Sequence, residues 1–443
     1  MFNQSSIISC SINKKTLVAM PGFILFFMML FVPTTYQPIK AVLLGIVLTM
    51  ICLQAIVKMK IALHPKILLL TLFFTTTGLF FILRGLINAA PGAMRVGTVY
   101  VLWPLVYTVL VAGISNKTML QNILRLLVIA TVVIEIYSFT YIFYSAGWLP
   151  SYFYISLDLG QAIGFYSGFI EYNLYNTSSL VFLVPFLIAA LLTWSSNMKL
   201  PVSRFWLWIS LIMGLALVLL SGRRALMLVS GLAPIFTLFF RHFLPREIKL
   251  ANRKVLIQTF IKVFIMALIV LFYLNLVHGI EFISLINEFL VGFDFQNDPS
   301  AIARKTQFFA LLDGWSQYPF LGAGHGASVA YLRSIEQPWA YELSYIALLY
   351  QTGLIGFIIY MSGFVWIFWK GLRVIKSDAS LGLQFLPVLV GTSCFLIANA
   401  TNPYLGKYDY LWVVFLPIAF INYWLLSQRC NENANKCPKD DQV

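Results

Sequence analysis

The stretch from Leu215 to Phe240 reads LALVLLSGRRALMLVSGLAPIFTLFF and places two arginines, Arg223 and Arg224, between two long apolar runs. An arginine that faces lipid is energetically costly, so two adjacent ones in this setting need a physical reason. One interpretation is that they stand at the mouth of a cavity and hold an anionic group. The other is a short hairpin turn whose arginines snorkel to lipid headgroups.

The composition extends this pattern to the whole chain. Of the 443 residues, 60% are hydrophobic and only 10% are charged. Apolar runs of roughly 17 to 25 residues recur from end to end, which is the signature of transmembrane helices. The sequence therefore predicts an all-α, polytopic integral membrane protein. The net charge of +14 is explained by cytoplasmic loops that face anionic lipid, so membrane lipids and not nucleic acid are the expected partners.

The apolar runs predict about twelve transmembrane spans with a large loop between spans 9 and 10. The predicted spans are 16–34, 39–57, 67–83, 95–113, 123–145, 177–194, 205–220, 225–240, 257–278, 342–369, 383–401 and 408–427. The corresponding units are a bundle of nine spans (1–278), the large loop (279–341), the last three spans (342–427) and a polar tail (428–443). The five cysteines show no metal-ligand spacing, and we predict neither a metal site nor a cofactor.

Lysine and arginine set the predicted orientation. Most of them fall in segments that share a side with the two chain termini, which places both termini in the cytoplasm. Arg223 and Arg224 lie on the opposite side, where they carry no topology signal. This exception favours a functional role for the pair over a plain turn.

Several other residues are candidates on the same non-cytoplasmic side. A loop at about 146–176 contains Asp158 and Glu171 and many aromatic residues, which either stack on sugar rings or form an interfacial aromatic belt. In the large loop, Asn297 to Ser300 predicts a turn and a helix start, and Arg304 lies on the helix that follows. Glu135, near the middle of span five, is either functional or paired with a neighbouring helix.

Three segments together resemble the O-antigen ligase and polymerase superfamily. Ser221-Gly222-Arg223-Arg224-Ala225 resembles its S-x-x-R-[GA] element. Arg304 with Trp315 and the run 318–324 (YPFLGAG) resembles its R…W…hP-h-h-G-x-G segment. Glu342 to Ile346, followed by the run 353–356 (GLIG), resembles the end of its periplasmic loop and the next span. The resemblance covers about 205–360, and it implies the bacterial inner membrane with the active site on the periplasmic face.

One departure from that family distinguishes its branches. Its ligases carry a histidine where this chain has Glu342 or, with a one-residue slip, Tyr341. The resemblance therefore implies a Wzy-type O-antigen polymerase, a glycosyltransferase that joins undecaprenyl-diphosphate-linked oligosaccharide repeat units. A chain-length regulator is a further expected partner. The alternatives are an O-antigen ligase acting on lipid A-core and, outside enzymes, a polysaccharide-lipid transporter.

The expected mechanism is a metal-independent, inverting transfer. Arginine is permanently charged and can grip a phosphate with two donors, so Arg224 and Arg304 are predicted to clamp the leaving diphosphate, with Arg223 assisting. Glu342 is the predicted general base, with His325, Asp158 and Glu171 as the next candidates. The predicted substrate-binding residues are Arg223, His325, Tyr341, Arg84 and Arg95.

Each of these roles has a plainer alternative. Glu342 could be a carboxylate favoured by the dipole of a helix N-terminus. Arg304 could be a surface charge and His325 a structural loop residue. Arg84 and Arg95 could anchor to lipid headgroups.

Overall fold

The computed structural model describes residues 14–58, 61–114, 116–166, 169–194, 202–246, 248, scattered positions between 257 and 276, and 299–436. The predicted ninth span lies largely outside these residues. The first part of the predicted large loop (279–298) and the end of the tail (437–443) also lie outside them.

Helices dominate the part of the chain that is described. They are α1 (Lys14–Phe31), α2 (Gln37–Lys58), α3 (Pro65–Ile87), α4 (Ala93–Gly113), α5 (Lys117–Ser145), α6 (Thr177–Leu192), α7 (Arg204–Leu220), α8 (Arg224–Arg241), α9 (Pro299–Gln317), α10 (Ser344–Ser377), α11 (Ala379–Ala398) and α12 (Trp412–Lys436). α4 contains a π-helical stretch at Thr98–Leu102, and α10 is kinked at Gly353. One antiparallel hairpin, β1 (Ala162–Tyr166) and β2 (Phe169–Asn173), pairs Gly164 with Glu171.

The helix boundaries follow from local sequence chemistry. Asn116 precedes α5, and its side-chain oxygen accepts a hydrogen bond from the Met119 N–H at 2.8 Å. Asp378 does the same for α11 with the Leu381 N–H at 2.9 Å. These side chains satisfy backbone donors that the first helical turn leaves free.

Seven of the described helices are long and apolar enough to cross a membrane, and three shorter apolar helices accompany them. The predicted spans one to eight and ten to twelve each overlap one helix, so the mostly helical, membrane-like architecture is confirmed. The count of twelve spans stays a prediction. The hairpin β1–β2 is an addition that an all-α prediction did not include.

The most buried helices lie at the centre of the bundle. Every residue of α6 is buried and nearly every residue of α11, and the two helices pack against each other and against α8. α2 and α3, in contrast, expose large apolar side chains such as Val57 and Leu69. A fully apolar helix belongs in a core, whereas an exposed apolar face of this length suits lipid.

The hairpin and the glycine-rich loop lie at one end of the bundle, which we call the loop end. α1, α3, α5, α7 and α11 finish there, and α2, α4, α6, α8, α10 and α12 begin there. Contacts across this end join distant parts of the chain, as when the Thr34 N–H donates to Asp409 Oδ2 at 3.1 Å. Most of the predicted site residues lie at this end.

Candidate functional site

The arginine pair occupies the turn between α7 and α8. Gly222 has φ of +59°, and a Cβ at this position would lie 2.1 Å from Oε1 of Glu171. Only glycine therefore lets the Glu171 side chain pack directly over the turn. The Ser221 hydroxyl donates to the Val218 carbonyl at 2.8 Å and accepts from the Arg223 N–H at 3.3 Å.

The two arginines point to different partners. The Arg223 Nη2 donates to Asn173 Oδ1 and, at 3.4 Å, to the Leu174 carbonyl, which ties it to the end of β2. Arg224 is the first residue of α8, and its charge acts on Glu171. Both arginines are half-buried, as is Glu171.

Glu171 combines partial burial with a cationic neighbour. Burial raises the pKa of its carboxyl above the ordinary value, and the positive charge of Arg224 offsets part of this rise. A carboxylate with a raised pKa is a stronger proton acceptor than an ordinary one, which is the property that a general base requires. The sequence had ranked Glu171 only among the secondary candidates.

A second charged group surrounds Glu342, immediately before α10. Its Oε2 accepts from Arg304 Nε at 2.8 Å, and its Oε1 lies 2.8 Å from Arg333 Nη2. Gln307, one turn after Arg304 on α9, accepts from the Leu343 N–H at 2.9 Å. Both Glu342 oxygens are thus engaged by guanidinium groups, so this carboxylate acts as a counter-ion that orients two arginines.

Arg333 is the member of this group that the sequence analysis did not select. Its side chain is 48% exposed, compared with 31% for Arg304 and 21% for Glu342. It lies in an irregular segment between α9 and α10, where no spacing or motif marks it. Two arginines around one carboxylate leave a net positive charge that is open to solvent.

The glycine-rich segment 322–326 inserts between α3, α4 and α10. Gly324 has φ of +100°, and a Cβ there would lie 2.2 Å from the Gly85 nitrogen. Arg84 Nε donates to the Gly322 carbonyl at 2.6 Å, and Asn88 donates to the Ala323 carbonyl at 2.8 Å. Arg84, predicted to bind substrate, therefore holds this loop in place.

His325 is fully buried at the tip of the same loop. Its ring stacks on Tyr100 with centroids 3.9 Å apart, its Nδ1 lies 3.3 Å from Gln351 Oε1, and its Nε2 lies 3.0 Å from the Tyr360 hydroxyl. Burial lowers the pKa of His325 to about 4. These contacts match the structural alternative for this residue, because both ring nitrogens face protein groups.

The other two predicted substrate-binding residues differ in exposure. Tyr341 is 2% exposed, and its hydroxyl accepts from the Val329 N–H at 2.7 Å, so it supports the loop from inside. Arg95 lies exposed near the start of α4. Of the five predicted substrate-binding residues, Arg95 is the exposed one, whereas Arg223 is half-buried and hydrogen-bonded to the end of β2.

The segment 399–411, between α11 and α12, borders both arginine groups. Tyr404 lies within electrostatic reach of Arg223, and Lys407 lies within reach of Arg333. Desolvation lowers the pKa of Lys407, an effect that Asp409 opposes and the Arg333 charge reinforces. One short segment thus connects the Arg223–Arg224 turn to the Arg304–Glu342–Arg333 group.

An apolar cavity of about 500 Å³ lies between α1, α2, α4, α5 and α12. Its lining includes Phe26, Met29, Leu110 and, at the beginning of α12, Trp412. A lining of this kind suits a hydrocarbon chain and offers few partners to a sugar. Most of its lining comes from the later halves of α2 and α4 and the start of α5, away from the loop end, and Trp412 lies on its side toward the loop end.

Comparisons with known proteins assign this chain to no family, so any function must be argued from its own residues. No family model matches the chain, and a search of curated proteins finds no match to it. Among the residues that the structure describes, no group of three or more His, Cys, Asp or Glu side chains could hold a metal ion.

Proposed function

We propose that this protein is an O-antigen polymerase of the bacterial inner membrane, a glycosyltransferase that uses a polyprenyl-diphosphate-linked glycan as donor. The observation that carries the proposal is that two pairs of arginines, Arg223–Arg224 and Arg304–Arg333, border the segment 399–411 at one end of an apolar helical bundle. A soluble substrate would not require this setting. A lipid-linked diphosphate needs both an apolar environment and concentrated positive charge.

The arginines supply the charge that the leaving group needs. When the glycosyl–oxygen bond of the donor breaks, the electron pair stays on the lipid diphosphate, whose negative charge grows. Arg224 and Arg304 are the proposed clamp for that diphosphate, and guanidinium groups hold phosphate oxygens with two parallel donors. Glu342 orients Arg304 and Arg333 toward the site, because each of its oxygens lies 2.8 Å from one of them.

The acceptor hydroxyl must lose a proton as the new glycosidic bond forms. We assign this proton to Glu171, whose carboxyl lies on the Gly222 turn beside Arg224. This assignment replaces the predicted role of Glu342, since both oxygens of Glu342 already accept from arginines. A single displacement of this kind inverts the anomeric centre and needs no covalent enzyme intermediate.

The remaining parts of the proposal follow from the predicted topology. The chain termini lie in the cytoplasm and the loop end faces the periplasm, where lipid-linked repeat units and a chain-length regulator meet the enzyme. The apolar cavity beside Trp412 provides room for part of a lipid chain. A site built from one large loop, which supplies Arg304 and Arg333, favours an enzyme over a polysaccharide-lipid transporter, whose fold typically consists of two repeated halves.

The test is polymerisation by the purified protein. The protein in detergent receives undecaprenyl-diphosphate-linked repeat units and no lipid A-core, and products are resolved on a gel. We expect a ladder of extended chains from wild type and a rate reduced about 100-fold or more in Arg224→Ala and Arg304→Ala. Lys305→Ala is the matched control, because it removes an exposed cation adjacent to Arg304 and leaves both proposed clamp arginines in place.

The alternatives give different products. A ligase would give no product until lipid A-core is added and would then transfer a single repeat unit to it without a ladder, and a transporter would leave the repeat units chemically unchanged under both conditions. A normal ladder from Arg224→Ala would refute the assignment of the clamp.

A further inference from the structure

Four side chains of Lys, Arg, Asp or Glu are buried in the part of the chain that the structure describes, and one of them has no partner there. Lys40 and Asp409 pair with each other. Glu135 of α5 accepts from the Ser210 hydroxyl of α7 at 2.8 Å, in agreement with one of its two predicted roles. Lys370 of α10 is 8% exposed and has no hydrogen bond or ion pair to a described residue. A charge withdrawn from water is costly unless it is paired, so an anion is expected beside Lys370.

Two contacts set the register between α3, which begins at the end of the bundle opposite the loop end, and α10, which finishes there. A Cβ at Gly356 would lie 2.5 Å from the ring of Phe81, and one at Gly363 would lie 2.7 Å from the ring of Phe74. Seven residues forward along α10 therefore match seven residues back along α3, as in antiparallel helices of equal rise. One further step of seven reaches Lys370 on α10 and residue 67 on α3.

Two more cations lie at this level. Lys66, next to residue 67, is exposed at the start of α3, and Arg373 is exposed one turn beyond Lys370 on α10. Both cations of α10 contact the ring of Trp369, since the Lys370 ammonium lies 4.7 Å from the ring centroid and the Arg373 guanidinium carbon 3.9 Å. Like charges three residues apart on a helix repel each other, so this arrangement favours a bound anion.

The end of α12 adds a fourth cation. The loop before α3 is fastened to α12, since the His64 N–H donates to Asn422 Oδ1 at 2.8 Å. The end of α10 is fastened to α12 as well, because the Trp424 indole donates to Ser377 Oγ at 2.9 Å. Arg429 lies two turns after Asn422 on the same face of α12 and is exposed. Hydrogen bonds thus bring the start of α3 and the ends of α10 and α12 together.

His64 lies among these cations. Its Nδ1 accepts from the Lys66 N–H at 3.2 Å, so its Nε2 carries the hydrogen of the neutral ring and can donate. Burial lowers its pKa, and so do the positive charges of Lys66, Arg429 and Lys370. Of the described acidic side chains, only Asp378 lies at this end of the bundle, and it caps α11. The cations therefore have no described carboxylate to neutralise them.

The helix surface next to these cations is apolar. Toward the middle of the bundle, Val365 of α10 and Leu69 of α3 are largely exposed. Trp369 is also exposed, and tryptophan in this setting is typical of the membrane–water interface. Positive charge beside an apolar face matches a phospholipid, whose phosphate is followed by acyl chains. A soluble phosphate would have no use for the apolar face.

We propose that Lys66, Lys370, Arg373 and Arg429 bind the phosphate headgroup of one anionic membrane phospholipid. Ammonium and guanidinium groups hold its phosphate oxygens, and its acyl chains lie along the apolar faces of α3 and α10. The headgroup thereby joins α3, α10 and α12. The site is at the opposite end of the bundle from the Arg223–Arg224 and Arg304–Arg333 pairs, so this inference stands whether or not the protein transfers glycans.

Thermal unfolding of the purified protein in mixed micelles tests the site. Phosphatidylglycerol replaces phosphatidylcholine stepwise at constant total lipid and constant salt. We expect a saturable rise in the unfolding midpoint with phosphatidylglycerol, as linkage requires of a ligand that binds only the folded state. Equal midpoints in the two lipids would overturn the proposal. A second series adds inorganic phosphate to phosphatidylcholine micelles at matched ionic strength, and an equal rise there would assign the site to a soluble anion and overturn the lipid.

Variants locate the effect. Lys370→Met and Arg373→Gln should each raise the half-saturating fraction of phosphatidylglycerol about 5-fold, the equivalent of about 1 kcal/mol per cation. In phosphatidylcholine alone, neither variant should unfold below the wild-type midpoint, because each removes repulsion between like charges. A purely structural role for these cations would instead lower the midpoint equally in both lipids, and that result would refute the site.

Lys376→Gln is the matched control, because Lys376 is an exposed lysine in the last turn of the same helix. A 5-fold change in this control as well would show general attraction to an anionic micelle and refute a specific site. If Lys370→Met does not fold, Arg373→Gln decides the question, since Arg373 is exposed and its replacement leaves no cavity. An unchanged phosphatidylglycerol response in Arg373→Gln would also refute the site.

Discussion

The buried ion pair between Lys40 and Asp409 gives a prediction whose size follows from its surroundings. Lys40 Nζ lies 2.8 Å from Asp409 Oδ1, and the two side chains are 2% and 1% exposed. The other oxygen of Asp409 accepts from the Thr34 N–H at 3.1 Å and from Gln37 Nε2 at 3.2 Å. Both carboxylate oxygens of Asp409 therefore accept hydrogen bonds. The Lys40–Asp409 ion pair fastens the segment 399–411 to the first turn of α2.

Removing one charge should cost more than removing both. Asp409→Asn keeps the size of the side chain but leaves the Lys40 ammonium buried without a counter-charge, and breaking a buried pair in this way costs about 3–5 kcal/mol. Lys40→Met leaves Asp409 with two hydrogen-bond donors, so this variant should lose less stability than Asp409→Asn. In the double variant no unpaired charge remains, and its loss should fall below the sum of the single losses by about 1–3 kcal/mol.

The assay is unfolding of the purified protein by SDS in mixed micelles, followed by tryptophan fluorescence. Lys66→Met is the control, because Lys66 is exposed at the start of α3 and its loss should change stability by no more than about 0.5 kcal/mol. Single losses that simply add in the double variant would refute the reasoning. A loss below about 1 kcal/mol for Asp409→Asn would do the same.

Three further predictions concern the loop end. Burial holds the pKa of His325 at about 4, so the unfolded chain takes up a proton first as the pH falls. The free energy of unfolding should therefore drop by up to about 3 kcal/mol between about pH 6.5 and 4. Denaturation curves measured at several pH values check this, and His325→Phe should flatten the dependence. Gly324→Ala should destabilise by about 2 kcal/mol or more in the same assay, through its positive φ and the contact with Gly85, whereas Ala327→Gly should cost less. Because burial raises the pKa of Glu171, the polymerisation rate should begin to fall at a higher pH than an ordinary carboxyl would give. In Glu171→Gln this acidic decline of the pH–rate profile should disappear. A decline that persists in the variant would rule out Glu171 as the base.

The helices were predictable because apolar length is a one-dimensional property. A run of about 20 apolar residues predicts a span without knowledge of its neighbours, and α2, α7 and α8 begin and end within a few residues of the predicted positions. The arginine turn was predictable for the same reason, since charge between two apolar runs is visible in the sequence. The hairpin β1–β2 was not, because its strands lie in a long aromatic loop without a strict alternating pattern.

The roles of individual side chains depended on contacts across long sequence separations. Glu342 stands at the start of a helix in the sequence, but Arg304 and Arg333 decide its role by engaging both of its oxygens. In the sequence, His325 stands in a glycine-rich loop and suggests a substrate-binding residue, yet in the fold α3, α4 and α10 enclose it. No local pattern contains this information, because most of these contacts join residues that are tens to hundreds of positions apart, and the nearest, between Arg333 and Glu342, crosses an irregular segment that no motif marks.

The segment 399–411 connects the stability prediction to the proposed chemistry. Asp409 fastens this segment to α2, while Tyr404 and Lys407 of the same segment lie beside Arg223 and Arg333. The ion pair therefore holds in place the segment that lies beside both arginine groups, although it belongs to neither. Catalysis that depends on a precise spacing is sensitive to displacements of about 1 Å. An Asp409→Asn protein that remains folded should consequently polymerise more slowly, although every proposed catalytic residue is intact, and a normal rate would show that the two arginine groups act independently.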